Sequence, residues 1–226
     1  MISSQFDAVI PILCVALAGL VVLLAEAFRG RDEKMPIGGL GIIGLVGAGA
    51  ASVLLWNRQA ESFGVVTADN FALFVNLVLV AVGILTVIFS SQTVERDGLP
   101  AGEYYAILLF TIVGMMLMAQ ANDLLLIFLA LETMSIGVYV LTGIRRNQPA
   151  GTEAAFKYFL LGAFASAFFL YGIAFLYGVT RSTHLDAISS AIAAQSMSGN
   201  PMILLGVGLL IVGFAFKVAA VPFHMW

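Results

Sequence analysis

The stretch LLLIFLALETMSIGVYVL, Leu124 to Leu141, decides how the rest of the chain is read. It is too long and too evenly apolar for an ordinary strand, and as a helix it spans most of a hydrocarbon core about 30 Å thick. Near its middle stands Glu132. An ionised carboxylate at that depth loses its water at a cost on the order of 2.5–3.5 kcal/mol on insertion scales, so such an acid is by default a functional-site candidate. On a helix, the face of Glu132 also carries Phe128, Ser135 and Tyr139, at i−4, i+3 and i+7, and the last two can hydrogen-bond. The plainer alternative is a neutral, hydrogen-bonded structural Glu.

The surroundings are of the same kind. The chain has 226 residues, is 61% hydrophobic and 10% charged, and has a mean hydropathy of +1.04. These values mark an integral membrane protein. A net charge of −3, with no basic block to neutralise phosphates, excludes a nucleic-acid partner. The single cysteine, Cys14, excludes an internal disulfide, a cysteine-held iron–sulfur cluster and a cysteine zinc site; the redox compartment stays open.

Seven stretches have the length and polarity of membrane helices: Ala8 to Phe28, Ile37 to Trp56, Asn70 to Ser91, Tyr104 to Gln120, Leu124 to Gly143, Glu153 to Gly178, and Pro201 to at least Val221. Between them GRDEKMP, RDGLPAGE and RRNQPAG combine charge with Pro and Gly. Asp123, Thr152 and Asn200 are placed as N-caps, the last followed by Pro201 at the first helical position. The leader MISSQFD has no basic residue and its apolar run exceeds a signal peptide's, so the first segment is expected to stay as a membrane helix. Loops after helices one, three and five hold Arg29, Arg31, Lys34, Arg96, Arg145 and Arg146, against Arg58 and Arg181 in the others. The positive-inside bias then puts the N-terminus outside. Small residues at close-approach spacing, Gly44/Ala48/Ser52, Gly162/Ser166 and Ala163/Ala167, predict tightly packed helices. GLGIIG, Gly39 to Gly44, matches a dinucleotide fingerprint literally but lies inside a membrane helix, where glycine packing is the better reading; Glu61 then has no ribose to bind.

Lys217, in VGFAFKVAAVPFHMW, is the basic counterpart of Glu132. Sixteen residues after Pro201, it lies deeper than snorkelling from the start of its helix can reach. Pro222 cannot donate to the carbonyl of Val218 and disturbs that turn, so a break is expected beside the lysine. Freed carbonyls at membrane depth are tolerated only against protein or a watery cavity, the construction used for ion pathways in interrupted helices. The alternative is a lysine snorkelling to the far side, with Pro222 merely ending the helix. Lys157 has Glu153 four residues before it and reads equally as an exposed ion pair. Its helix and those of Glu132 and Lys217 start from opposite sides, so the three can reach one central or inward-displaced layer. His224, just past the proline, suits proton relay or plain packing. His184 sits in a polar loop, and Asp123 and Glu103 at helix starts, where carboxylates favour the positive helix end.

Taken together, EAAFKYFLLGAFASAFFLYGIAFLYG (Glu153 to Gly178), LALETMSIGVYVL (Leu129 to Leu141) and FAFKVAAVPFHMW (Phe214 to Trp226) resemble subunit N of the proton-pumping NADH:quinone oxidoreductase, respiratory complex I. The resemblance is strongest from about Glu103 onward. It implies an all-α polytopic bundle, with three N-terminal helices over 1–102 and the first of two inverted repeats over 103–226, its seventh transmembrane helix interrupted near Pro222. By motif, Glu132 matches the acid of the fifth helix, Lys157 the lysine opening the sixth, and Lys217 the lysine beside the break, with Pro222 and His224 at the break itself. Family members continue well past PFHMW, so the chain is expected to be part of a longer or split product, unable to pump alone. The implied partners are other membrane subunits, including sister antiporter-like ones, in a bacterial inner or equivalent energy-transducing membrane. NADH, FMN, iron–sulfur clusters and quinone are expected in partner subunits, with no cofactor or metal bound by this chain. The rival readings are a stand-alone or Mrp-type cation/proton antiporter and a membrane scaffold whose buried charges only orient helices.

Overall fold

Backbone N–H and C=O groups in lipid have no water to bond, so long apolar runs close their hydrogen bonds internally as helices. The computed structural model describes residues 5–28, 37–194 and 199–224. Among the described residues, six helices are long and apolar enough to cross a membrane. They are α1 (Ile10–Phe28, preceded by a 3-10 turn at Asp7–Val9), α2 (Ile37–Leu54), α3 (Asn70–Arg96), α4 (Ala101–Gln120), α5 (Leu124–Thr142) and α6 (Pro149–Thr180). A short helix, α7 (Leu185–Ala194), follows, and then the apolar α8 (Pro201–Lys217). The expected seven apolar segments are all present as helices. The loop cations Arg29, Arg31 and Lys34, and the end of the PFHMW motif, lie outside the described residues.

Packing runs in sequence across the bundle. Helices α1 to α4 enclose one core built around Val15, Val22, Leu45, Val80, Leu109, Ile112 and Met116. α5 packs on α4, α6 on α5, and α8 on α6. α4 therefore touches both the N-terminal helices and the later ones, so residue 102, in its first turn, is not a gap in the packing. Small residues make the closest approaches: a Cβ on Gly114 would meet the α5 backbone at Met134 and Ala130, and one on Gly172 would meet the Gly206 carbonyl of α8 at 2.8 Å. Gly41 and Gly44 of the GLGIIG run face Leu109 and Ala18, as membrane packing requires. Ala163 and Ala167 differ from expectation: they lie on the outward face of α6, while Gly162, Ala165, Ser166 and Phe169 form its buried face. Leu17, Leu24, Ile43, Phe89, Leu129, Phe164 and Ile211 also point outward, the pattern of helices surrounded by hydrocarbon.

Several boundaries differ from the sequence reading. Asp123 and Asn200 do cap α5 and α8, accepting from Leu125 and Leu126 N–H and from Met202 N–H. Thr152 does not cap α6, which starts three residues earlier at Pro149, with Gln148 as N-cap. Proline supplies the pre-set φ and lacks the N–H that would be orphaned there, so it starts the helix without a side-chain cap. α3 runs on to Arg96, and α4 begins at Ala101.

One end of the bundle is tied together by non-helical chain between the membrane helices. A hairpin of β1 (Ala60–Ser62) and β2 (Val66–Ala68) turns at Phe63 and Gly64, both with positive φ. Ser62 Oγ accepts from Ala8 N–H, Val65 C=O accepts from Asn122 N–H, and Asp123 bridges to His184. The His184 loop thus has a structural place. α7 lies beside this cap, with Ile188 buried against Leu124, Ile173 and Leu176.

Candidate functional site

α5 presents a polar strip to its neighbours. Glu132, Ser135 and Tyr139 share one helical face over about 10 Å of rise. Ser135 and Tyr139 are buried, and Glu132 is half-buried. Lys217 reaches this strip from the last position of α8: its Nζ donates to Ser135 Oγ at 2.5 Å and to Tyr139 Oη at 3.1 Å, and lies 5.4 Å from the centroid of the Tyr139 ring. Ser135 Oγ donates a hydrogen bond to the Leu131 carbonyl, so its hydroxyl both accepts and donates. Glu132 is held from the other side, where Ser166 Oγ of α6 donates to its Oε1. Among the described residues the acid and the base form no direct ion pair; Lys217 is held by two hydroxyls of α5 and Glu132 by one of α6.

Two features of the backbone place these groups. The first is the end of α8. Ala220 N–H bonds to Ala215 C=O at 2.8 Å and Ala219 N–H to Phe216 C=O at 3.2 Å, with Ala219 at φ 52°. This is the crossed pair of bonds that closes a helix through a left-handed residue. The break expected from Pro222 therefore begins earlier, at Ala219, and the proline follows a helix already closed. At about 25 Å, α8 is shorter than the hydrocarbon core, which leaves Lys217 at membrane depth beside the negative helix end, where a cation is favoured. The second feature is Gly162, whose missing side chain leaves room for the Tyr139 hydroxyl: a Cβ there would overlap it. Ser166 follows Gly162 by one turn on the same face of α6.

The structure brings Glu132 and Lys217 to this one strip and leaves the other two candidates off it. Lys157 projects outward, its side chain 67% exposed, and pairs with Glu153 in the i,i+4 geometry weighed from sequence. The adjacent Tyr158 does reach the site, its ring 4.7 Å from that of Tyr139. His224 is exposed beyond the α8 break, without a hydrogen bond or ion pair among the described residues. In the sequence Ser166 reads only as a small packing residue, and its spacing of four from Gly162 is the one signal that places it on this face. No three His, Cys, Asp or Glu side chains converge on a metal-sized space among the described residues.

Residues 121–226 match the family described as "NADH:quinone oxidoreductase/Mrp antiporter, TM". The NADH-quinone oxidoreductase subunit N of Trichlorobacter lovleyi is 44% identical over 98% of this chain and 46% of its own length. The chain is a part-length member of the subunit N family. It spans about half the length of the curated relatives it matches. A chain of respiratory complex I from Thermus thermophilus with bound aureothin superposes with a TM-score of 0.78, at 33% identity over 96% of this chain and 45% of that one. A chain of the Mrp complex from Dietzia shares the fold, with a TM-score of 0.70 at 21% identity over 100% of this chain and 43% of that one. The site described above falls within the family-matched segment.

Proposed function

We propose that the chain is part of a proton-translocating, antiporter-like subunit of an NADH-quinone oxidoreductase, in which Glu132 and Lys217 are the proton-transferring pair. The observation that carries this reading is the reach of Lys217 from the end of α8 to the hydroxyls of the α5 face that bears Glu132. An ammonium held by neutral hydroxyls can give up a proton without breaking an ion pair, and a carboxylate brought close favours its recharging. Lys157 and His224 are assigned as outlying stations reached through water. What supports this is the contact of Tyr158, next to Lys157, with Tyr139, and the place of His224 beyond the α8 break. Residues 103–226 are read as the first repeat, and the capped end carrying the hairpin and the N-terminus as the outer side of a bacterial inner or equivalent membrane.

Moving one charge against 100 mV costs about 2.3 kcal/mol, and that energy is assigned to redox chemistry elsewhere in the complex. NADH, FMN, iron–sulfur clusters and quinone are assigned to partner subunits, and the partners include other membrane subunits, among them sister antiporter-like ones. The test uses the full-length subunit in its assembled complex. Glu132→Gln and Lys217→Met are each expected to lower proton pumping at least tenfold, within the range set by loss of a proton-transfer group. Full pumping by either assembled variant overturns its assigned role. Cation exchange by the subunit alone in vesicles would favour the antiporter reading instead.

A further inference from the structure

We propose that Ser166 is a positioning residue that holds the Glu132 carboxylate apart from Lys217, so that the pair can open. This rests on the reading of Glu132 and Lys217 as the proton-transfer pair. The geometry has three parts. Ser166 sits on α6 and its hydroxyl donates to the Glu132 carboxylate, while Lys217 donates to Ser135 and Tyr139 of α5, so acid and base have separate partners. It is buried, with 7% of its surface exposed, so water does not freely replace it. Its position is rigid, because the α6 face that carries it also carries Gly162, which packs against the Tyr139 hydroxyl, and Phe169 and Gly172, which pack against α8.

A hydrogen bond to an ionised group shifts a local equilibrium by roughly tenfold or more. Without Ser166, the charged partner open to Glu132 in this site is Lys217 of α8, which bonds Ser135 three residues along the Glu132 face. The closed pair is then favoured, and the lysine keeps its proton.

The experiment compares Ser166→Ala and Ser166→Thr with the parent in the assembled complex, with Glu132→Gln as reference. Two quantities are read: proton pumping per NADH oxidised, and the infrared carboxyl band assigned to Glu132 by its loss in Glu132→Gln. Ser166→Ala is expected to move that band to higher frequency and to reduce pumping roughly tenfold, with Ser166→Thr, which keeps the hydroxyl, restoring both. An unshifted band in Ser166→Ala overturns the proposal, as does a loss of pumping that Ser166→Thr fails to restore. If Glu132→Gln itself pumps fully, the underlying reading of the pair has failed instead. Assembly is checked for each variant by the size of the purified complex, and a Ser166→Cys variant, of similar volume with a weaker donor, serves if alanine prevents assembly: an unshifted band there is likewise fatal.

Discussion

Glu132 and Lys217 stood out in the sequence because lipid makes ionised groups costly; what each one bonds to is set by hydroxyls on two different helices, α5 and α6. Gly162 matters at the same scale. Its hydrogen is all that fits beneath the Tyr139 hydroxyl, and Gly162→Ala is expected to push the phenol away from Lys217 at a cost of about 1–3 kcal/mol. The expected result is a lower thermal midpoint for the subunit in its complex and slower pumping; unchanged values for both would show that α6 can shift to admit a methyl. Lys157 is the opposite case. Its pairing with Glu153 was visible as an i,i+4 spacing, and the side chain remains on the surface of α6.

Helix ends carry the information at the next scale. α3 closes through Gly98 at φ 60°, with Leu99 N–H on Val94 C=O and Gly98 N–H on Glu95 C=O. α8 closes by the same crossed bonds with Ala219 in glycine's place, a left-handed alanine that costs roughly 1–2 kcal/mol. Ala219→Gly is expected to stabilise by about 0.5–1 kcal/mol after the unfolded-state entropy is counted, and Ala219→Val to destabilise, because a β-branched residue tolerates positive φ poorly. Thermal unfolding of the three forms checks the order Gly above Ala above Val; a more stable valine form would mean the chain does not close here. The proline signal in the sequence correctly marked a break near Lys217. It could not mark the residue, because an alanine at a left-handed position has no composition signature.

Across the whole molecule, the outward apolar surface and the buried small-residue contacts separate the lipid face from the helix–helix face. The hairpin, the start of α5 and the His184 loop gather at one end, and the Arg145–Asp97 and Arg146–Glu103 pairs at the other. The proposed orientation places the first end outside. In a Cys14→Ser background, Glu61→Cys is expected to react with a membrane-impermeant thiol reagent in intact cells, and Asn147→Cys only after lysis; both positions are exposed. The reverse pattern would invert the assignment.

Length, hydropathy and the scarcity of charge determined by themselves that these residues form membrane helices, because hydrocarbon admits few other backbone states, and they isolated one acid and one base at depth. Motif resemblance added the family. Only the tertiary structure decided that Ser166 bonds Glu132, that Lys157 and His224 lie outside the contacts of that strip, and that a hairpin and α7 join the loops of one end. Those outcomes depend on which faces of α5, α6 and α8 meet, and glycine-sized gaps between distant residues choose that meeting, which local periodicity does not encode.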